Sequence, residues 1–402
     1  MILYLFTISF PYGMGQQWKI SELTTLKKYF PEIIIIPHEY HLAGQEVIQE
    51  FMGIAIKAPL FTKQVYLKPR KMAHLLSPRF FIYLQEFLSK KIFLSKRKMV
   101  SFFMTTYKIE KMFQNETIKE IIEKKDKNKI VLYFYWGAGS SIIIPFLKGF
   151  KNITVRFHGY DLYEDRNAGY IPFRSQLLKK LSNAIFISEH GMNYLNREYK
   201  GIEKKSRLFR IGTVSKGDAH PGGDSVLRIM SCSSVKELKR VSLILRAIKK
   251  MDIPVAWTHI GGGELFEELK REAEKMPAHI KVNLPGHIES DHVLDFYVNK
   301  NADVFVNVSS TEGVPVSVME ALSASIPVIA TDVGGTGEIV DETVGMLIPA
   351  IINEDDLANY LLKFYYIPDV KKMELRANAK RRYEESCNAD MLDEKFAKFL
   401  NS

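Results

Sequence analysis

Short, nearly uninterrupted apolar runs alternate with amphipathic segments along most of this 402-residue chain. Runs such as Ile130–Tyr135 and Val304–Asn307 have the composition of strands that are buried on both faces of a parallel sheet. Between the runs, apolar residues recur at helical spacing, for example over residues 238–248. Repeated strand–helix units of this kind predict a doubly wound α/β fold. The other predicted strands are Ile2–Phe6, Ile33–Pro37, Ile153–His158, Ala184–Ile187, Arg207–Ile211, Leu227–Cys232, Val255–Ile260, Ile280–Leu284 and Pro327–Ala330.

The pattern is interrupted once, after Gly212. Residues 213–225 (TVSKGDAHPGGDS) are rich in Gly, Pro and polar side chains, a composition that is typical of a linker. We therefore predict one α/β domain over residues 1–212 and a second over residues 213–387. From Asp369 onwards the pattern is helical, with no further strand.

The composition excludes several classes of protein. With 46% apolar and 12% aromatic residues, the chain can fill large cores, which excludes a disordered protein. No apolar run is long enough to span a bilayer, and the opening sequence MILYLFTISF is expected to be a buried strand rather than a signal peptide. Cys232 and Cys387 are the only cysteines and lack metal-type spacing, which favours a reducing cytoplasm.

The strongest functional signal is a pair of glutamates in TEGVPVSVMEALSASIPVIATDVGGTGEIV. Glu312 lies in a loop that contains Gly and Pro, and Glu320 lies in an apolar helical run. A carboxylate in such a helix should be buried, which is rare without partners, and sugar or ribose hydroxyls are suitable partners. The helix between the two glutamates would direct the N–H groups of Val316 and Ser317 at phosphates. A pair of surface glutamates fits poorly with the apolar residues around the second one.

Glycine-bearing turns follow several predicted strands, at the sheet edge where α/β proteins bind ligands. Glycine lets the backbone approach a phosphate or a sugar closely, although each turn alone is also consistent with an ordinary strand connection. No third glycine completes a dinucleotide fingerprint after the first strand. The candidate donor contacts in these turns are Gly13, Gly15, Gly261, Gly263, Gly286 and His287.

Polar side chains follow two further strands. His158 could hydrogen-bond a sugar or hold a proton near neutral pH, or it could be a structural histidine. Lys236, Lys239 and Arg240 stand near a helix start, where cations are unfavourable unless an anion such as a diphosphate is bound. A solvated helix face is the alternative for these three.

With these motifs, the chain resembles a glycosyltransferase of family 4 with the GT-B fold. The resemblance extends over nearly the whole length and depends on FPYGMGQQW, RFHGYDLYEDR, FISEHGMNYL, SCSSVKELKRVSLILRA and EGVPVSVMEA with the following GGTGEIV. It implies two facing Rossmann-like domains, with the donor held mainly by the second and the acceptor by the first. It also implies a C-terminal helix (residues 388–402) that packs back on the first domain, and sugar transfer with retention, usually without a metal.

The resemblance also implies roles for individual residues. Glu312 would contact the hydroxyls of the donor sugar and Glu320 those of the ribose. His158 would face the donor sugar and the reaction centre, and Lys239 would neutralise the leaving diphosphate. The backbone at Gly313, Val316 and Ser317 would add donor contacts.

Two positions depart from the family pattern. Ser234 stands where members often have an arginine, five residues before the lysine, so Lys236 or Arg240 would substitute for it. Ser325 and Ile326 replace the glycine that usually precedes the Pro-Val strand, which leaves the helix–strand packing there open.

Together with the resemblance, which implies retention, these observations predict a retaining glycosyltransferase (a hexosyltransferase). It would move a sugar from a UDP- or GDP-linked donor to a hydroxyl of a glycan acceptor, lipid-linked, in bacterial cell-surface polysaccharide or lipopolysaccharide assembly. No metal and no nucleic acid is expected. The alternatives are a GT-B sugar-nucleotide epimerase, a phosphorylase, or an inactive partner subunit of a glycosyltransferase pair.

The net charge of +10 comes from one segment. Residues 57–98 contain eleven Lys or Arg and a single acid, Glu86, interleaved with aromatics. This predicts docking on an anionic membrane surface, and hence a cytoplasmic, peripheral enzyme on the inner face of the membrane. Core helices with snorkelling lysines are the alternative, and RNA binding has no accompanying motif. The predicted acceptor or membrane patch is Lys68, Arg70, Lys71, Lys90, Lys91, Lys96, Arg97 and Lys98.

Overall fold

The computed structural model describes residues 1–12, 19–40, 47–62 and 74–402, which form two separate sheets. The first sheet contains β1 (Ile2–Thr7), β2 (Glu32–Pro37), β3 (Glu50–Phe51), β4 (Ile54–Ile56), β5 (Ile130–Phe134), β6 (Asn152–Phe157), β7 (Asn183–Phe186) and β8 (Ser206–Leu208). The second contains β9 (Leu227–Cys232), β10 (Val255–Ile260), β11 (Ile280–Gly286), β12 (Val304–Asn307), β13 (Val328–Thr331) and β14 (Gly345–Ile348).

Helices connect the strands of both sheets. In the first half they are α1 (Lys19–Tyr29), α2 (Phe80–Ser89), α3 (Lys96–Gln114), α4 (Glu116–Glu123), α5 (Gly159–Leu162), α6 (Arg174–Lys180) and α7 (Glu189–Glu198). In the second half they are α8 (Val241–Lys249), α9 (Phe266–Ala273), α10 (Ser290–Asn299), α11 (Val316–Ser323), α12 (Glu354–Tyr365), α13 (Asp369–Ser386) and α14 (Ala389–Asn401).

The strand order places a switch point in each sheet. The first sheet runs β3-β4-β2-β1-β5-β6-β7-β8, and the second runs β11-β10-β9-β12-β13-β14. All neighbours pair in parallel except β3 and β4. The connections leave in opposite directions from β1 and β5, and again from β9 and β12, and ligands of open α/β sheets bind beyond such pairs of strand ends. The predicted α/β fold with two Rossmann-like domains is therefore confirmed.

The sequence located most strands well. The strands Leu227–Cys232, Val255–Ile260 and Val304–Asn307 agree residue for residue, and the other predicted strands differ by one to three residues at an end. The prediction missed β3, β4 and β14. The first two are only two and three residues long, and the third begins at Gly345, where φ is +158° and a Cβ would lie 1.9 Å from a backbone oxygen.

The predicted linker is packed rather than free. Ala219 is buried, and its N–H donates to the carbonyl of Ala324 at 2.9 Å. At the start of the segment, Thr213 is hydrogen-bonded to the chain between α13 and α14. Its N–H donates to the carbonyl of Cys387 at 2.9 Å, and its carbonyl accepts from the N–H of Ala389 at 3.0 Å. The two connections between the domains therefore lie side by side.

The last helix, α14, crosses back to the first domain. It packs against α1, where Tyr29 donates its hydroxyl hydrogen bond to Glu394. The ring of Phe396 lies 5.2 Å from that of Tyr133 and 5.4 Å from that of Phe209. This arrangement matches the crossover helix that the resemblance implies.

A buried ion pair lies where α14 meets the first sheet. Arg156, on β6, is 1% exposed and donates to the carboxylate of Glu22, on α1. Tyr133 donates to the other oxygen of that carboxylate at 2.9 Å, and Phe396 covers the guanidinium at 4.2 Å. Burial, and then the nearby Glu22, raises the pKa of Asp393 on α14 to about 7. One cation thus joins three elements that are distant in sequence.

Candidate active site

The carboxyl ends of the two sheets meet across an interdomain cleft. Gly159, at the start of α5, lies against Gly313, and a Cβ on Gly159 would lie 3.7 Å from the Gly313 backbone. Arg166 bridges the two domains by donating to the carbonyl of Gly159 at 2.9 Å and to the hydroxyl of Thr311. The loop that carries Glu312 therefore faces the first domain directly.

The structure brings Glu312 and Lys239 together. Lys239 follows β9 and Glu312 follows β12, so both come from the switch point of the second sheet. The Lys239 Nζ lies 2.7 Å from the Glu312 Oε1, and Asn307 donates to the same oxygen at 3.3 Å. The carboxylate side chain is 10% exposed and the lysine side chain 27% exposed, which leaves both within reach of a ligand. Asn307 was not predicted, although its place at the end of a strand was a usable signal.

The helix between the two glutamates starts as predicted. Pro315 is the N-cap of α11, and the helix begins at Val316, followed by Ser317. The N–H groups of Val316 and Ser317 precede the first bond of the helix, which Val318 donates to the carbonyl of Pro315 at 3.1 Å, and are positioned for an anion. We therefore place a candidate diphosphate site between this helix start and Lys239.

Glu320 lies on α11 and is partly rather than fully buried. Burial raises the pKa of its carboxyl to about 8. It lies near the end of β9, because burial, and then the Glu320 charge, raises the pKa of the Cys232 thiol to about 12. Within the described ranges, no side chain forms a hydrogen bond or ion pair with this carboxyl. An unpaired, desolvated carboxyl is consistent with a ligand hydroxyl as its partner.

The glycine turns set how closely the backbone elements pack. Gly334 has φ of +59°, and a Cβ there would lie 2.1 Å from the backbone oxygen of Glu312. Gly335 donates to the carbonyl of Gly313 at 2.6 Å. After β10 of the second sheet, a Cβ added to Gly261 would lie 1.9 Å from a backbone oxygen, and one added to Gly263 would lie 2.5 Å from another. These glycines are required for packing around the site, whether or not they also contact a donor.

The turn at the end of β11 is accessible to solvent. Gly286 has φ of +78°, and the His287 side chain is 56% exposed, with its Nε2 3.6 Å from Glu289. The carbonyl of Gly286 accepts from Gly261 at 2.8 Å, which holds the two turns next to each other. The contact of both residues with the base of a donor stays a prediction.

His158 is more enclosed than the sequence suggested. It is 6% exposed, its Nε2 lies 3.0 Å from the carbonyl oxygen of Tyr135, and its ring lies 4.1 Å from that of Trp136. Burial, followed by the charges of Arg156 and Lys19, lowers its pKa well below the usual value. The neutral, anchored ring favours the structural alternative, in which His158 shapes the cleft rather than transferring a proton.

Asp161 holds this region in place and was not singled out from the sequence. Its carboxylate accepts from the backbone N–H of His158 at 2.6 Å and from that of Gly137. The first contact caps α5, the helix that meets the Glu312 loop. Burial raises the pKa of this carboxyl to about 7. The HGYD motif thus fixes the backbone at the domain contact.

The hydrogen bonds of Arg240 do not favour its predicted contact with the donor. Its guanidinium donates to the backbone carbonyls of Val308 at 2.6 Å, Ser309 at 3.2 Å and Ala350 at 2.9 Å. These three bonds engage the guanidinium in joining the loops that follow β12 and β14. Lys236 is exposed and lines a groove of about 770 Å³ beside α8 and α9. The bonds of Arg240 therefore do not favour it as the substitute for the arginine missing at position 234, and the substitution by Lys236 stays a prediction.

Several predicted residues lie outside the described ranges. These are Gly13 and Gly15, and the first part of the basic patch, namely Lys68, Arg70 and Lys71. Within the part that is described, no three His, Cys, Asp or Glu side chains converge as metal ligands. In that same part, no helix combines the length and the apolar character needed to cross a bilayer.

Solved structures with the same architecture are numerous, and several extend over almost all of both chains. The lipopolysaccharide outer core galactosyltransferase WaaB gives a TM-score of 0.66 over 99% of each chain, at 13% identity. Anabaena HepE, solved with UDP and glucose, gives a TM-score of 0.65 over 100% of each chain, also at 13% identity. At this identity the likeness shows the fold, which is GT-B.

Sequence comparison identifies the family. Residues 223–400 match the family model described as glycosyl transferases group 1. The O-antigen biosynthesis glycosyltransferase WbnH of Escherichia coli is 31% identical over 291 residues, which cover 71% of this chain and 79% of that protein. The putative colanic acid biosynthesis glycosyltransferase WcaL of E. coli K12 is 26% identical over 267 residues, or 62% and 64% of the two chains. The chain belongs to the group 1 glycosyl transferases.

Proposed function

We propose that this protein is a retaining, family 4 hexosyltransferase that moves a sugar from a nucleotide diphosphate donor to a hydroxyl of a glycan. The observation that carries the proposal is the contact between Lys239 and Glu312 at the sheet switch point, directly before the start of α11. The contact brings a cation and a carboxylate together, and the carboxylate lies four residues before Val316, the first residue of α11. A sugar diphosphate needs the cation, the carboxylate and the helix N–H groups.

The donor would extend along α11. Glu312 would accept hydrogen bonds from the sugar hydroxyls, Lys239 and the amides of Val316 and Ser317 would hold the diphosphate, and Glu320 would bind the ribose. HepE was solved with UDP and glucose, which supports UDP as the nucleotide, and a GDP donor remains the alternative. Lys239 and the helix amides supply positive charge where a metal would otherwise be needed, so we propose a metal-free enzyme.

The chemistry follows from this placement. The bond between the anomeric carbon and the β-phosphate oxygen breaks, and the acceptor oxygen forms its bond to that carbon on the same face. The acceptor proton passes to the departing diphosphate, which leaves as the nucleoside diphosphate. Negative charge grows on the phosphate in the transition state, and Lys239 with the amides of α11 stabilises it there.

The stereochemistry of donor hydrolysis tests the proposal. UDP-, GDP- and ADP-hexoses are incubated with the protein, and the released sugar is observed by proton NMR before it mutarotates. We expect one α-linked donor to be hydrolysed slowly to the α-anomer, because water replaces the acceptor on the same face. The β-anomer as first product would contradict retention. An epimerised nucleotide sugar, a need for inorganic phosphate, or no turnover of any donor would favour the alternatives named above.

The biological acceptor is proposed to be a lipid-linked glycan in cell-surface polysaccharide or lipopolysaccharide assembly. WbnH is named for O-antigen biosynthesis, and WaaB for the lipopolysaccharide outer core, which supports that class of acceptor. A lipid-linked acceptor requires the enzyme to reach a membrane surface. The protein would then work in the cytoplasm, on the inner face of the membrane.

The basic segment provides a surface of the required chemistry. Helices α2 and α3 bury Tyr83 and Phe102 in a core cluster, as the alternative interpretation expected. The same segment exposes Phe81 (79%), Phe93 (50%) and Leu94 (71%) next to its lysines and arginines. Its single acid is 1% exposed and bonded to Tyr170, Phe173 and Gln176, so only positive charge reaches the surface. Exposed rings among cations suit an anionic lipid interface.

Charge reversal at the start of α3 should abolish membrane binding. Each basic residue near an anionic surface contributes about 1 kcal/mol, so replacing Lys96, Arg97 and Lys98 by Glu should weaken the association constant about 100-fold or more. The measurement is cosedimentation with phosphatidylserine–phosphatidylcholine vesicles at low and high salt. The control reverses three exposed lysines elsewhere, Lys124, Lys125 and Lys129, which gives the same net charge. If the wild-type protein stays in the supernatant at low salt, the membrane proposal is wrong.

A further inference from the structure

Arg240, the residue after Lys239, has a backbone conformation that is unfavourable for most residues other than glycine. Its φ is +49° and its ψ is +34°, in the left-handed region where a Cβ is crowded against the backbone. It joins the short helical turn of residues 237–239 to the start of α8, so the chain changes direction there. Residues that keep such a conformation are held by the surrounding structure, and they are concentrated at functional sites.

The side chain of Arg240 connects the carboxyl ends of three strands. The residue itself follows β9, and its Nε donates to the carbonyl of Val308, after β12, at 2.6 Å. Its Nη2 donates to Ser309 in the same loop at 3.2 Å and to Ala350, after β14, at 2.9 Å. The planar guanidinium presents several donors in a rigid fork, whereas the ammonium of a lysine is a single point of charge. The geometry of these bonds therefore requires an arginine.

The loop after β12 is bonded to both neighbours of Lys239. On one side, the carbonyl of Leu238 accepts from the N–H of Ser310 at 2.8 Å and from its hydroxyl at 3.1 Å. On the other side, Arg240 donates to the two carbonyls that precede Ser310. Glu312 lies only two residues further along this loop. Lys239 is thus flanked by two attachments to the segment that carries its carboxylate partner.

The same loop is fixed from below by its own strand and by β13. The carbonyl of Ser309 also accepts from the hydroxyl of Thr331, the last residue of β13, at 2.6 Å. Asn307 links the loop to the site, because its Oδ1 accepts from the N–H of Ser309 at 3.0 Å while its Nδ2 donates to Glu312 at 3.3 Å. The bonds from Arg240 attach this ordered loop to the turn that carries Lys239.

We propose that Arg240 is a positioning residue, which sets the place of Lys239 relative to Glu312 without contacting the donor. The inference rests on the proposed function and adds to it the residue that holds the ammonium where charge develops on the departing phosphate. The Nζ of Lys239 lies 2.7 Å from the Oε1 of Glu312, and a displacement of about 1 Å in such a site can lower a rate about 100-fold. The charge grows only as the bond breaks, so the effect falls on kcat.

Arg240→Gly tests the proposal with little risk of misfolding, because glycine suits the left-handed backbone and removes only the guanidinium. We expect kcat for donor hydrolysis to fall about 10- to 100-fold, while the affinity for UDP changes less than about 3-fold. The melting temperature should stay close to the wild-type value. Arg246→Ala is the matched control, since it removes the same charge from an exposed position of α8 and should leave kcat unchanged.

Arg240→Lys separates positioning from direct contact with the diphosphate. Lysine keeps the positive charge and the same backbone strain, but it cannot donate to carbonyls of two loops at once. We expect kcat to stay within about 3-fold of the value for Arg240→Gly. A lysine that restores wild-type kcat would show that the charge alone is used, and would overturn the positioning role.

Hydrogen exchange tests the attachment of the loop without any turnover. In Arg240→Gly, the amides of residues 308–313 should exchange at least about 10-fold faster, because the loop loses its bonds to the guanidinium, while those of β10 keep the wild-type rate. The proposal is overturned if the loop exchanges at the wild-type rate, or if Arg240→Gly hydrolyses a donor as fast as the wild type. A failure of the proposed function would differ, because the wild-type protein would turn over no donor although the exchange in this loop still depended on Arg240.

Discussion

Glu312→Gln should lower the rate of donor hydrolysis about 100-fold or more while leaving the protein folded. The carboxylate is 10% exposed and accepts hydrogen bonds from Lys239 and Asn307, so its position is fixed before any ligand binds. Glutamine has the same shape, but it lacks the charge and places a donor where an acceptor is needed. The sugar hydroxyls would lose their acceptor, and Lys239 would lose the group that orients it. The loss should be in kcat rather than in UDP affinity.

The control for this experiment is Glu237→Gln. Glu237 is exposed and lies in the same turn as Lys239, so its replacement changes the net charge equally near the site. We expect activity close to that of the wild type. The melting temperature of both variants should stay near the wild-type value, because a partly exposed ion pair contributes only about 1 kcal/mol. Unchanged hydrolysis in Glu312→Gln would show that this carboxylate does not contact the donor sugar.

This part of the site could be predicted because its signals are local. Glu312, the start of α11 and Glu320 lie within nine residues, and the strand before them is apolar enough to be recognised. The open-sheet rule then places their loop at a ligand-binding edge. Lys239 follows a different strand, and the same rule brings it to the same edge. Pattern and topology together were sufficient here.

Other parts depended on contacts that no local pattern contains. Arg240 follows Lys239 directly, yet its backbone is in the αL conformation and its guanidinium donates to carbonyls of two distant loops, those after β12 and β14. His158 stands at a strand end as expected, but its enclosure by Tyr135 and Trp136 comes from the neighbouring strand. Arg166 was part of a quoted motif, and its bridge to Thr311 exists only because the domains face each other. Side-chain partners at long sequence separation are what the sequence could not supply.

The buried cluster around Arg156 is the clearest example, and its removal should have the largest effect on stability. Nothing in the local sequence of β6 indicates that this arginine contacts both α1 and α14. It is the cation between the carboxylate of Glu22 and the rings of Tyr133 and Phe396. A charge at 1% exposure is tolerated only because it is paired with a carboxylate, Glu22, which is itself 5% exposed.

Arg156→Met should therefore destabilise the protein by about 3–5 kcal/mol, because Glu22 would remain buried without its cation. The urea-unfolding midpoint of the first transition measures this, with Arg197→Met as the control, since that arginine side chain is 72% exposed and its loss should change stability by less than about 0.5 kcal/mol.

Adding Glu22→Leu to Arg156→Met should recover much of the loss, since replacing both members of a buried ion pair by apolar groups is often neutral. Tyr133 would lose its acceptor in the double variant, so recovery should remain incomplete by about 1 kcal/mol. If the single variant unfolds at the wild-type urea concentration, the pair does not stabilise the fold. If the double variant is no more stable than the single one, the loss comes from packing rather than from an unpaired charge. Recovery would show that α14 is held to the first domain mainly by apolar contact, with the ion pair selecting where it docks.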